Sequence, residues 1–277
     1  MRVQTDGATL CVETFGRAEA PAILLVHGAG ASMDRWEEPF CERLAAAGRY
    51  VIRYDHRDTG ASTTYPPGAP GYTGDDLIAD PVAILDALRI GRAHVVGISM
   101  GGALVQRIAV EFPARVLSVT LLCTTSAGVG GPSLPPMSSA LHASFSNPPP
   151  EPDWSDREAT IEYLLEAERP YAGWRGVDEA ASRALLGRVY DRSASLASAS
   201  NHYLVDGTDM PHSRLGEIGV PALVVHGTDD PLFPLPHGES LARAIPGARL
   251  LVVEGLGHEL PRWAWDEVLG AIVELTA

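Results

Sequence analysis

A serine hydroxyl attacks a carbonyl carbon only when a neighbouring base takes its proton, so a candidate nucleophile is recognised by its company. Ser99 lies in HVVGISMGGALVQRIA, residues 94–109, where Gly97, Ser99 and Gly101 form a GxSxG pattern. The β-branched run before it and the helix-like spacing after it predict a strand, a sharp turn and a helix. A serine on such a turn holds strained backbone, and the positions two residues away on each side must be nearly free of side chain. The N–H groups at the helix start, that of Met100 above all, then face the reacting centre and can stabilise negative charge on a substrate oxygen. Taken alone, so short a pattern equally suits a Gly-rich turn whose serine caps the helix.

Other segments supply the groups that a serine needs. VVHGTDDPLFP sets Asp229 and Asp230 just after an apolar run ending at His226, and VVEGLGHELP sets His258 just after one ending at Val253. The order serine, aspartate, histidine is that of a nucleophile, an orienting acid and a base carried on successive strand ends. An aspartate before proline also suits a solvated turn, and one of the two is expected to have that role. In LLVHGAGAS, residues 24–32, glycines follow an apolar run directly and let the backbone approach a ligand. An N–H from this loop, with Ala29 the candidate, would complete an oxyanion hole opposite Met100. The dipeptide HG recurs at His226–Gly227, where it serves only to end a strand.

These groups need a frame that brings strand ends together. Apolar runs at Ala22–Val26, Tyr50–Tyr54, His94–Ile98, Val116–Cys123, Ala222–His226 and Arg249–Val253 suit strands buried on both faces of a parallel sheet, with Thr9–Phe15 an antiparallel edge strand. Helical spacing fills the intervals at Trp36–Ala47, Asp75–Leu88, Gly101–Glu111, Gly238–Ile245 and Trp263–Leu275, with Pro81 predicting a kink or a late start in the second. The alternation predicts an α/β fold, a doubly wound and mostly parallel sheet. The rhythm stops over residues 126–215, which open with Gly and Pro clusters and show no convincing strand. Two helices are expected there, one from Ser155 with Glu158 forming a capping box, the other over Val177–Tyr190. Ninety residues exceed a plain connection, so the reading is a core of 1–125 and 216–277 carrying a helical cap.

Composition narrows the function classes. A formal charge of −14 over 277 residues, with no basic cluster, excludes a nucleic-acid partner. No apolar stretch reaches membrane-spanning or leader length, which predicts a cytoplasmic protein. Three widely spaced cysteines form neither a disulfide framework nor a metal knuckle and read as small buried hydrophobes. No metal or organic cofactor is required by the serine chemistry, and the partner is a small-molecule ester. Oligomeric state is not legible. Candidate substrate contacts are Phe145, Trp154, Trp174, His202 and Tyr203 in the cap and Phe233 after the acid turn, although most cap aromatics, Tyr163 included, suit a cap core.

HGAG, YDHRDTGAS at 54–62, GISMGG, HGTDDPLFP and GLGHELP together resemble the α/β-hydrolase superfamily over residues 20–262 apart from the cap. VIRYDHRDTGASTT, AHVVGISMG, DPLFPLPHG and GLGHELP resemble, more narrowly, the aclacinomycin methylesterase group of polyketide-tailoring esterases. The superfamily resemblance implies that Asp230, the second aspartate, is the acid. The narrower one implies a methyl ester on a polyketide-like molecule, with His27 standing where the methylesterases have a Met-Gly-Gly turn and so altering the pocket floor. Epoxide hydrolases and haloalkane dehalogenases need Asp where Ser99 stands and are disfavoured. A lactonase, a carbon–carbon bond hydrolase, a cofactor-free perhydrolase or haloperoxidase, and a non-enzymatic ligand receptor on the same fold stay open.

Overall fold

The computed structural model describes residues 1–277. Its strands are β1 (Arg2–Thr5), β2 (Ala8–Phe15), β3 (Ala22–Val26), β4 (Tyr50–Tyr54), β5 (Ala93–Ile98), β6 (Val116–Leu122), β7 (Gly128–Val129), β8 (Met210–Pro211), β9 (Ala222–Gly227) and β10 (Arg249–Val253). Its α-helices are α1 (Glu38–Ala46), α2 (Gly74–Ala87), α3 (Met100–Glu111), α4 (Ser139–Ser146), α5 (Arg157–Glu168), α6 (Glu179–Arg192), α7 (Pro236–Ala244) and α8 (Trp265–Leu275). Eight strands form one sheet in the order β1-β2-β4-β3-β5-β6-β9-β10, antiparallel across β1-β2-β4 and parallel from there on.

Successive side chains on a strand point to opposite faces, and β3 divides them accordingly. Leu24 joins the apolar layer beneath α2, α3 and α7, while Ile23 and Leu25 join the layer beneath α1 and α8. Strand order reverses around β3, because β4 lies on one side of it and β5 on the other. Such a switch point opens a crevice at the carboxyl ends of the strands, and the HGAG loop after β3 and Ser99 after β5 both border it.

Several local expectations need correction. The β1 strand was not foreseen. Arg249–Val253 is an edge strand with Arg249 and Val252 exposed, not one buried on both faces, because no strand follows it in the sheet. Helix α2 runs unbroken through Pro81 from an early start, since Thr73 and Asp76 form a reciprocal capping box. Met33–Arg35 is a 3-10 turn and α1 starts only at Glu38. Cys41 and Cys123 are buried but Cys11 is half-buried.

Between β6 and β9 the chain adds no strand to the main sheet. It is not strandless, however, because β7 and β8 pair in parallel and clip its two ends together. Helix α4 arises inside the Pro- and Gly-rich stretch, where Ser138 caps the Leu141 N–H. Helix α5 is capped by Asp156 rather than Ser155, whose hydroxyl donates to Asp153 instead, so the Ser155–Glu158 capping box does not form. Helix α6 is capped by Asp178 and so starts at Glu179, two residues later than expected. Helices α5 and α6 pack through Ile161, Leu165 and Leu186.

Candidate active site

Ser99 has φ 55° and ψ −122°, a left-handed conformation that a side chain rarely adopts. It is held by its N–H donating to Leu122 C=O at 3.0 Å and by the Thr124 hydroxyl donating to its own C=O at 2.8 Å. A Cβ on Gly97 would collide with the Gly101 carbonyl, and one on Gly101 with the carbonyls of Val26 and His27. Both flanking glycines are therefore required by backbone proximity.

His258 Nε2 lies 2.9 Å from Ser99 Oγ, and its Nδ1 lies 2.9 Å from Asp230 Oδ2. The carboxylate accepts from Nδ1–H, which leaves Nε2 bare to accept the serine hydroxyl proton. The other oxygen, Asp230 Oδ1, accepts the N–H groups of Leu232 at 2.9 Å and Phe233 at 2.8 Å. Burial pushes the Asp230 carboxyl upward, but the His258 hydrogen bond and charge, together with the Phe233 N–H, outweigh it and hold it below the ordinary range. Asp229 is exposed, accepts only the Thr228 hydroxyl through its carboxylate, and does not reach His258. The loop after β9 passes too close to Leu256 for a side chain at Gly227, and the base loop passes too close to Tyr171–Gly173 for one at Gly257.

The oxyanion candidates share one property. In the loop after β3 the Gly28 N–H donates to His27 Nδ1 at 2.7 Å, Gly30 N–H to His202 Nδ1 at 2.8 Å and Ala31 N–H to Gly28 C=O at 3.4 Å. Only the Ala29 N–H between them has no acceptor within the protein, and the Met100 N–H at the start of α3 has none in the surrounding loops. A Cβ on Gly28 would stand 3.1 Å from Ser99 Cβ, which places this loop against the serine.

The candidate substrate contacts divide. Phe233 stacks edge-on against His258 with ring centroids 5.5 Å apart. His27 packs on Trp36 and is held well below its usual pKa by burial, then by the charges of Arg35, His56 and His258. Phe145 packs against Tyr171, and Tyr203 keeps 66% of its surface accessible. Three others are not brought to the triad. Trp154 packs on Tyr163 and donates to Glu151 within the inserted segment, Trp174 lies exposed against Gly255 and Arg175, and His202 is buried with both ring nitrogens on backbone groups. Trp154 is engaged by neighbours in the chain, whereas His202 is engaged by backbone groups more than a hundred residues away.

Tyr171 was missed by the sequence reading. Its C=O accepts the His258 N–H at 2.8 Å and its ring lies 5.9 Å from the imidazole, yet nothing in ERPYAGW signals contact with a residue 87 positions on. The same holds for Arg192, whose guanidinium pairs with Asp34 and Asp55. A surface cleft of about 560 Å³, lined by residues such as Glu13, Phe15, Arg53 and Arg188, contains none of the triad. No group of three or more His, Cys, Asp or Glu side chains could hold a metal ion, and no helix is long and apolar enough to cross a membrane.

Fold and geometry define a hydrolase built around a serine, and the comparisons agree. The family described as alpha/beta hydrolase fold matches residues 21–263, and the chain belongs to it. Among curated relatives, the chain is 33% identical to a rhodomycin D methylesterase of Streptomyces sp. (strain C5), with 98% of this chain and 95% of that protein covered. It is 31% identical to the rhodomycin D methylesterase of Streptomyces peucetius, with the same coverage of 98% and 95%. Among solved structures it is similar to the enol-lactonase from Burkholderia xenovorans LB400, at 26% identity and TM-score 0.75 over 99% of each chain.

Proposed function

We propose that the protein cleaves a carboxylic methyl ester on a hydrophobic, polyketide-like molecule through an acyl-enzyme. The observation that carries the reading is the unbroken chain Asp230–His258–Ser99, with 2.9 Å at each link. Ser99 Oγ attacks the ester carbon as its proton passes to His258 Nε2. The oxygen that becomes negative is met by the N–H groups of Ala29 and Met100, each worth about 3 kcal/mol by analogy with other oxyanion donors. Collapse expels the alkoxide, which takes the proton from His258 and leaves as the alcohol. Water, deprotonated by the same imidazole, then releases the acid. Asp230 holds the productive tautomer and stabilises the imidazolium.

Two supports favour a methyl ester: the similarity to rhodomycin D methylesterases and the aromatic surroundings of the triad, with the Phe233 and Tyr171 rings against His258 and Phe145 packed on Tyr171. His27 contributes to the pocket floor. In this reading residues 126–215 act as a cap on a core formed by 1–125 and 216–277. The substrate is a small molecule, nucleic acid is not a partner, and the three free thiols suit a reducing cytoplasm. A lactone is the second reading, because ring opening uses the same steps and a similar solved structure is an enol-lactonase. A panel of aromatic methyl esters, aryl esters, lactones and vinylogous diketones decides between them. The highest kcat/KM is expected on a methyl ester of a flat aromatic acid, and a lactone or diketone preferred by more than tenfold would overturn the assignment.

A further inference from the structure

The backbone at residues 27–30 that carries the unpaired Ala29 N–H is fixed largely by side chains. Gly30 N–H donates to Nδ1 of His202 at 2.8 Å, and Nε2 of the same ring lies 2.8 Å from the Arg57 C=O. A backbone N–H only donates and a carbonyl only accepts, so Nδ1 is bare and Nε2 carries the proton. No other tautomer satisfies both contacts. A doubly protonated ring would set a donor against the Gly30 N–H, and burial brings the imidazole pKa down to about 4, which keeps the ring neutral.

His202 cannot drift from this position. It sits on the 3-10 turn Ala197–Tyr203, where Asn201 donates to Asp58 at 2.9 Å and accepts the Gly68 N–H at 2.7 Å, and Ser198 donates to the Tyr65 C=O at 2.7 Å. Beside it, His56 donates from Nε2 to the His27 C=O at 3.0 Å, and its ring stands edge-on to that of His202 with centroids 5.6 Å apart. Residues 27 and 30 are thus each held by a buried imidazole, with Ala29 between them.

We propose that His202 is a positioning residue for the oxyanion loop: by accepting the Gly30 N–H it aims the adjacent Ala29 N–H at the oxygen that becomes negative. The proposal rests on the reading of Ser99 as an esterase nucleophile with Ala29 as a donor. His202 does not touch the substrate. It belongs to the segment inserted between β6 and β9, so seating of that segment feeds directly into stabilisation of the transition state. Donor placement must hold to within about half an ångström for such stabilisation.

The test separates the two ring nitrogens. In His202→Asn the side-chain oxygen falls near the Nδ1 position and keeps an acceptor for Gly30. In His202→Gln the amide reaches the Nε2 position, keeping the donation to Arg57 while losing that acceptor. With p-nitrophenyl acetate, His202→Gln is expected to lower kcat about 10- to 100-fold with KM unchanged, since an interaction made only in the transition state is removed. His202→Asn is expected to restore kcat to within about threefold of the wild type. Equal loss in both variants at matched melting temperature, no loss in either, or an effect on KM alone would overturn the proposal. Should His202→Gln not fold, inhibition of His202→Asn by a trifluoromethyl ketone still decides, because it must stay within about threefold of wild type. A weaker response at unchanged melting temperature would contradict the role. Ser99→Ala run alongside tells the failures apart: retained turnover there removes the underlying reading, whereas a dead Ser99→Ala beside a fully active His202→Gln removes only this proposal.

Discussion

At the triad, two adjacent aspartates of the same chemistry have different fates because of a one-residue difference in direction. Asp230 turns inward, is 3% exposed, and meets His258 and two backbone N–H groups, while Asp229 turns out to solvent. Asp230→Asn is therefore expected to lower kcat about 10⁴-fold, the cost of presenting the wrong imidazole tautomer. Asp229→Asn should stay within about threefold of wild type. Ester turnover by both purified variants checks this, and a crippled Asp229→Asn beside an active Asp230→Asn would reverse the assignment. Ser99, His258 and the Asp pair were legible in the sequence because each follows a strand end, where short-range pattern fixes position. The choice of Asp230 over Asp229 was not: it came from resemblance, since both residues sit in the same turn and differ only in how that turn is folded.

Elements of the sheet were legible for a similar reason. Runs rich in Val, Ile and Leu are buried on both faces of β3, β5 and β9, as suits the centre of a parallel sheet. The segment between β6 and β9 was less so, because its contacts join residues far apart in the chain. Arg192 at the end of α6 shows the difficulty. Its guanidinium bridges Asp34 and the fully buried Asp55, whose two oxygens also accept the Met33 and Ala61 N–H groups at 2.9 Å each. An arginine in SRALLGRVYDRS carries no mark of such a partner. Replacing it leaves a buried carboxylate without its counter-charge, so Arg192→Met is expected to destabilise the protein by about 3–5 kcal/mol. Urea denaturation measures this, and a loss below about 1 kcal/mol would show that the ion pair does not hold α6 to the core.

Across the whole molecule, buried neutral imidazoles set the acid limit of stability. His56, His94 and His202 all have pKa values brought down to about 4, burial being the leading cause in each. An unfolded imidazole takes up a proton below about pH 6.5 and these native ones do not until about pH 4, so the unfolded chain binds more protons in that window. Stability therefore falls as pH drops from 6.5 towards 4, by up to about 1.4 kcal/mol per pH unit for each histidine. Asp230 acts lower: its native pKa lies below the usual carboxylate value, so its contribution is complete above the unfolded pKa and is lost only as pH falls through the native one. Urea midpoints measured from pH 7 to pH 5 should decline, less steeply in His202→Asn, and a flat profile would contradict the neutral imidazoles. The most direct measurement of the proposed chemistry is mass spectrometry after reaction with a fluorophosphonate probe. One adduct per chain on Ser99, with ester turnover abolished in step and no labelling of His258→Ala at the same exposure, is the expected result. An adduct on another residue, or an unlabelled wild type that still hydrolyses esters, would contradict a Ser99 nucleophile activated by His258.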